Sequence, residues 1–173
     1  MRMSEGVEWA LHCCLTLGWL GSDRPVPTAK LAATFELPPA YLNKHLQALT
    51  RAGVLASSPG ARGGFRLARP AEKITLLDVV TAIEGRDGAF RCTEIRRRGA
   101  GAGRDPQEFA RQCVITTGIR RAEMAWRREL AAQTLADMMA RAPAAAVERT
   151  RTWYARAETA ATPRRRRTPS RTT

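Results

Sequence analysis

The sequence predicts a mainly α protein with a small β-hairpin: a winged helix-turn-helix head followed by a long dimerisation helix. Three observations predict it. From Pro38 to Pro70, the run PPAYLNKHLQALTRAGVLASSPGARGGFRLARP reads as a helix leading straight into a hairpin. From about Gly118 to Arg141, apolar residues recur at helical spacing, with Ile119, Ala122, Ala125, Trp126, Leu130 and Leu135 among them. The 29 Lys and Arg outnumber the 16 Asp and Glu, for a formal net charge of +13. The expected organisation is residues 1–85 as the head, 86–117 as a loop, 118–141 as the dimerisation helix and 142–173 as a basic, disordered tail.

Residues 4–20 read as the first helix, with Ser4 as its cap and Glu5 near its positive end. Val7, Leu11, Cys14, Leu15 and Gly18 share one face, and Glu8 and His12, four apart, project side by side at its edge. Gly21 to Pro27 is a turn. Thr28 is expected to cap a short helix through Phe35, with Leu31, Ala32 and Phe35 pointing inward. After the tight turn Leu37-Pro38-Pro39, Leu42, Leu46 and Leu49 form the apolar stripe of the second helix of the motif. Ala40, Asn43, Lys44, Gln47 and Arg51 fall on its opposite face, which is polar, cationic and small enough to enter a major groove. Thr28 and Tyr41 complete the expected set of DNA contacts on the helices.

Ala52-Gly53 ends this helix, because glycine accepts the left-handed position after a helix end. Val54-Leu55 opens one strand and Phe65-Arg66-Leu67 alternates as the other. The turn between them, Ser57 to Gly64, carries Arg62 at its tip, where it can reach a minor groove. Ile74 to Gly85 is a further helix capped by Thr75, with Asp78 in its first turn and Gly85 as its stop. Residues 86–112 look irregular, with Arg96-Arg97-Arg98 and a Gly/Ala run from Gly99 to Gly103. A loop this long in a compact domain is functional or disordered. Cys92 and Cys113 stand at its edges. Pro143 interrupts the helical pattern, Ala144 to Ala161 is weakly helical, and Thr162 to Thr173 is the tail, with Arg164 to Arg167 in a row.

Charge narrows the function. Residues 1–141 hold 21 Lys and Arg against 14 Asp and Glu, and residues 142–173 hold 8 against 2, so the folded part is basic apart from its tail. A basic fold favours a polyanion, most simply double-stranded DNA. No nucleophile–base pair or phosphate loop is recognisable, and Gly60-Ala61-Arg62-Gly63-Gly64 is a wing tip with no helix after it, so an enzyme is not expected. No signal peptide or membrane-spanning run is visible, which makes a cytoplasmic chain with reduced cysteines the expectation.

The segments VEWALHCC (7–14), VPTAKLA (26–32), YLNKHLQALTRAGVL (41–55), GARGGFRLARP (60–70) and ITLLDVVTAIEG (74–85) carry a resemblance. Over about residues 1–140 the chain resembles the IscR/NsrR/RsrR group of bacterial winged-helix regulators, nearest to its redox-responsive RsrR branch. The resemblance implies a homodimer on palindromic promoters and an iron–sulfur cluster held in the loop before the dimerisation helix. Most cluster-binding members have three cysteines in that loop, and this chain has two. The RsrR likeness implies a [2Fe–2S] cluster held by Cys92 and Cys113 of one subunit and Glu8 and His12 of the other. The chemistry is compatible: each iron needs two protein ligands, and histidine in place of cysteine raises the potential. The same four residues also suit zinc. Cys13 and Cys14 are rival thiols; Cys14 lies in the apolar stripe, and Cys13 is core or interface. Two other readings remain at this point. One is a cluster-free regulator of the same fold that responds to thiol oxidation or another effector. The other is a sequence-indifferent nucleoid protein driven by the tail.

Overall fold

A computed structural model describes residues 3–21, 25–60, 63–88 and 90–161, with side chains described through residue 156. Seven α-helices and one hairpin follow in the order α1 (Glu5–Leu20), α2 (Thr28–Thr34), α3 (Pro39–Arg51), β1 (Leu55–Ser58), β2 (Gly64–Leu67), α4 (Leu76–Glu84), α5 (Val114–Ala132), α6 (Leu135–Arg141) and α7 (Ala144–Ala161). The mainly helical fold with a single two-stranded wing is the one the sequence predicts.

α1 is the central helix. It packs against α3, α4, α6, α7 and β2, so more than one stripe of it is buried. Ala10, Cys13, Cys14 and Leu17 are almost wholly enclosed, whereas Leu11 and Leu15, expected on the inner face, are only half-buried. The core continues through Leu31 of α2, Leu42, Leu46 and Leu49 of α3, Val54 and Leu55 at the start of the wing, and Val79 of α4. Burying side chains of this size is worth roughly 1.5–3 kcal/mol each relative to exposure, which makes the leucine stripe of α3 the anchor of the reading helix.

Two expected caps work differently. Ser4 precedes α1 but makes no side-chain cap; its hydroxyl and its N–H both donate to Glu84 Oε1, at 2.6 and 2.9 Å. The bond to α4 replaces the bond to its own helix, and it holds the Glu84 carboxyl below the usual range. Thr28 is the first residue of α2 rather than its cap, which is Pro27. Its hydroxyl faces Asn43 instead.

Leu55 pairs with Leu67 and Ser58 with Gly64 in an antiparallel register. Val26 and Phe65 exchange both backbone hydrogen bonds, 2.8 and 2.9 Å, and so tie the entry to α2 onto the wing. Gly64 lies against the Val26–Pro27 backbone, where a Cβ would have no room. The wing-tip Ala61 and Arg62 lie outside the described residues.

Residues 86–112 form a chain of short 3-10 turns, at Ile95–Arg97, Gly99–Gly101 and Pro106–Phe109. The helix expected over 118–141 is two helices, because Thr134 caps α6 and ends the continuity at Gln133. The cap is reciprocal: Asp137 N–H donates to Thr134 Oγ1, and Thr134 N–H donates to Asp137. Residues 144–161, expected to be weakly helical within the basic tail, form α7, and Tyr154 takes a place in the core. Residues 162–173, with Arg164 to Arg167, lie outside the described residues.

Candidate DNA-binding face and metal-ligand residues

The outer face of α3 is set by what its inner face buries. With Leu42, Leu46 and Leu49 enclosed, helical periodicity turns Ala40, Asn43, Lys44, Gln47 and Arg51 outward, and all five are exposed. Thr28, Asn43 and Gln47 line one groove with Ser57 to Gly60 and Gly63 of the wing. Thr28 Oγ1 lies 3.4 Å from Asn43 Oδ1, which joins the start of α2 to the outer face of α3. Short polar side chains lining a groove, with Lys44 and Arg51 exposed on the same helix, are the equipment for touching base edges and phosphates. Tyr41 is half exposed, with its ring edge-on to Trp9 of α1 at 5.5 Å between centroids and Lys44 Nζ 5.7 Å above it. It therefore sits between the outer face and α1.

Glu8 and His12 are exposed one turn apart on α1 and border an open recess with Met3, Leu11 and Val7. The His12 ring rests 5.6 Å from that of Phe35. Cys92 and Cys113, 21 positions apart in the chain, stand at the two ends of the loop that Arg96 braces. Arg96 feels the charge of both thiols, donates to Glu94 at 2.5 Å and binds the Arg111 carbonyl at 3.1 Å. Glu94 N–H in turn donates to Cys92 Sγ at 3.4 Å. Cys113 is the N-cap of α5, and the backbone N–H groups of Thr116 and Ile115 hold its thiol below the usual range. A helix N-terminus stabilises a thiolate in this way. Within one chain, no three His, Cys, Asp or Glu side chains converge among the described residues. The Glu8–His12 pair and the Cys92–Cys113 pair are thus two half-sets, each short of the four ligands that a tetrahedral ion or a two-iron cluster requires. Cys13 and Cys14 belong to the core; burial pushes the Cys13 thiol up to about 12 and the Cys14 thiol higher still. Neither is placed to act as a rival ligand.

Comparison with known proteins agrees with this geometry. Residues 3–141 match the family model described as Rrf2, iron-dependent transcriptional regulator. The chain belongs to the Rrf2 family. It is 30% identical over 141 residues to the HTH-type regulator YwgB of Bacillus subtilis, covering 82% of this chain and 86% of that protein. It is 32% identical over 143 residues to protein aau3 of Rhizobium meliloti, covering 83% and 88%. Among solved structures, CymR, the global cysteine regulator of B. subtilis, superposes with a TM-score of 0.61 at 22% identity, over 83% of this chain and 99% of that one. IscR of T. potens superposes with a TM-score of 0.61 at 21% identity, over 84% and 90%. These two likenesses carry the winged-helix fold. As an Rrf2 protein the chain is a DNA-binding transcriptional regulator and not an enzyme.

Two residues of this Rrf2 chain matter more than their sequence context suggests. Arg96 reads as one member of a charge run, yet it ties Glu94, whose N–H donates to Cys92, to the Arg111 carbonyl two residues before Cys113. His45 sits on α3 between the leucines and the outer face, with its ring over Gly6 of α1, where a Cβ would clash with it. Its Nε2 is buried without a hydrogen-bond partner, and burial holds its pKa below the ordinary histidine value. Helical spacing alone places His45 beside the stripe, but nothing local marks Gly6 as its partner.

Proposed function

We propose that this Rrf2 regulator acts as a homodimer on palindromic duplex DNA, and that a [2Fe–2S] cluster bridges the dimer on Cys92 and Cys113 of one subunit and Glu8 and His12 of the other, nearest to the RsrR branch of the family. The observation that carries the reading is the pair of half-sets. Two thiols stand at the ends of the loop before α5, and a carboxylate and an imidazole stand exposed one turn apart, neither pair with same-chain ligands to complete it among the described residues. The donor set fits the group: two thiolates for one iron, a nitrogen and an oxygen for the other. Dimerisation is supported by α5, where Val114, Ile115, Ile119 and Met124 are exposed on a helix whose only fully buried side chain is Thr116. An unpartnered apolar face of that kind marks an association surface.

When bound, the cluster supplies one-electron chemistry at the dimer contact. The chain supplies the rest. The N–H groups of α5 lower the Cys113 thiol below its usual range and so favour its thiolate, and the Arg96 guanidinium adds to this. Glu8 and His12 share α1 with Gly6 and Trp9, which rest on His45 and Tyr41 of α3. A shift of α1 against the opposite loop therefore moves the reading helix, and two-fold readers are sensitive to the spacing of their two helices.

A second reading draws on the depressed Cys113 thiol: the same head, without a cluster, responds to oxidation of Cys92 and Cys113. Iron and acid-labile sulfide analysis of anaerobically purified protein separates them. The cluster reading expects two irons and two sulfides per cluster, and a visible absorption that Cys92→Ala and Cys113→Ala abolish and Cys13→Ala preserves. Colourless protein with no iron, or with zinc, would contradict it.

A further inference from the structure

The chain beyond residue 141 lies outside the stretch that matches the Rrf2 family, yet α7 packs against α1 and reaches the end of α2. Arg151 Nε on α7 donates to the Trp19 carbonyl near the end of α1, at 3.1 Å. One turn on, Tyr154 is only 5% exposed and joins the core that holds Cys13, Leu31 and Ala32. Its hydroxyl lies 2.8 Å from that of Thr34, the last residue of α2. Thr34 Oγ1 also lies 2.9 Å from the Lys30 carbonyl. A threonine hydroxyl has one proton, and a carbonyl can only accept, so the Tyr154 hydroxyl is left as the donor to Thr34. The next residue, Phe35, carries a contact from α1, since the His12 ring rests 5.6 Å from its own. The last turn of α2 is thus gripped by α1 and by α7 at adjacent residues.

What is fixed there is passed on to the DNA-facing residues. α2 has only seven residues, too few to hold a helix without tertiary contacts. The turn after it is tight: the N–H groups of Phe35 and Leu37 both return to the Ala32 carbonyl, at 3.3 and 2.9 Å, and Glu36 takes a left-handed φ of 53°. Pro39 then opens α3, so the end of α2 and the start of α3 move together. At its other end, α2 presents Thr28 to Asn43 and to the groove beside the wing. We propose that α7 is a strap that sets the helix-turn-helix motif in its reading position, with Tyr154 the positioning residue that holds Thr34. The inference rests on the family's DNA binding and not on the cluster, and it places a determinant of recognition in residues that the family match does not include. Base-edge contacts need a fixed register, whereas phosphate contacts tolerate freedom in the helices that make them. A loosened α2 has to be ordered again on each specific site, and that ordering lowers specific affinity.

The test compares two affinities of the full-length protein at one fixed salt concentration. One is for a duplex that the wild-type chain selects from a random library, and the other is for a scrambled duplex of the same length and composition. A merely structural defect lowers the folded fraction and weakens both alike, whereas lost positioning lowers their ratio. Tyr154→Phe keeps the ring in the core and removes the donor. It should lower the ratio about threefold to tenfold, within the range that one hydrogen bond carries, with circular dichroism unchanged. Thr34→Val removes the acceptor and should also lower the ratio, while Thr34→Ser, which keeps the acceptor, should retain it. Tyr154→Phe combined with Thr34→Val should lower the ratio no further than the larger single effect, because both changes remove the same bond. Tyr154→Ala also empties the place in the core and should lower the ratio more than Tyr154→Phe does; if it does not fold, the Phe and Val variants still decide. A ratio unchanged in both Tyr154→Phe and Thr34→Val would overturn the proposal. Additive losses in the double variant would overturn the bond as its basis. A wild-type chain that binds the two duplexes equally would refute sequence recognition by the head itself, an outcome distinct from any seen only in the variants.

Discussion

At the scale of single residues, the four cysteines divide by their surroundings rather than by their spacing. Cys13 and Cys14 are adjacent, fully enclosed and held as neutral thiols by burial. Cys92 is exposed, and Cys113 caps a helix whose N–H groups favour its thiolate. In cluster-free protein, iodoacetamide should therefore label the exposed Cys92 first and the Cys113 thiol, only 9% exposed, more slowly, and spare the α1 pair, as read by peptide mass spectrometry. The rate at Cys113 should reach half its maximum below the ordinary thiol value of 9.0. The sign follows from linkage. A depressed folded value stabilises the fold above the unfolded thiol pKa, and the contribution is lost as pH falls through the folded value. A midpoint at or above 9.0 would show that the α5 N-terminus does not act on Cys113. Spacing alone discloses which cysteines flank the loop, but not that Arg96 braces it, since that contact depends on how residues 92–97 turn back on Arg111.

At the scale of elements, legibility depends on local chemistry. The leucine stripe of α3, the Gly53 and Gly85 helix ends and the Thr75 cap are all readable, because each is decided within one or two turns of chain. The break before α6 is readable in principle. Thr134-Leu135-Ala136-Asp137 repeats the pattern of Thr75-Leu76-Leu77-Asp78, and both form reciprocal capping boxes. The apolar periodicity running through Leu130 and Leu135 masks it. The two caps also meet: Leu76 N–H donates to the Gln133 carbonyl and Leu135 N–H to that of Ile74, at 2.9 and 2.8 Å. Thr75→Ala and Thr134→Ala should each cost about 1 kcal/mol in denaturant unfolding. The double variant should depart from additivity, because the two helix starts share a backbone bridge. Fully additive losses would mean that the bridge does not couple them. The helix of Ala144–Ala161 is readable but its place is not, since that depends on Tyr154 meeting Thr34, 120 positions away. Ser4 and Thr28 mislead for the same reason: a cap-forming residue is claimed by a distant partner, Glu84 in one case and Asn43 in the other.

At the scale of the whole molecule, α1 packs against the reading helix α3 and carries half of the ligand set that we assign to a dimer contact. Packed on α4, α5 carries the exposed apolar residues that we propose for association. The described residues contain no helix long and apolar enough to cross a membrane. The surface on α5 should govern DNA binding indirectly. Ile115→Glu combined with Ile119→Glu should convert a dimer to a monomer in sedimentation velocity and weaken operator binding, since two half-sites then require two separate binding events. A variant that stayed dimeric would put the contact elsewhere. The central claim is that the state of the site at the dimer contact sets DNA affinity. The most direct measurement is operator affinity of the same cluster-loaded protein, oxidised and then reduced, at one fixed salt concentration. The two states should differ at least about fivefold, the lower end of coupling between linked sites, and His12→Ala should narrow the gap. Equal affinities with the cluster intact in both states would contradict the claim.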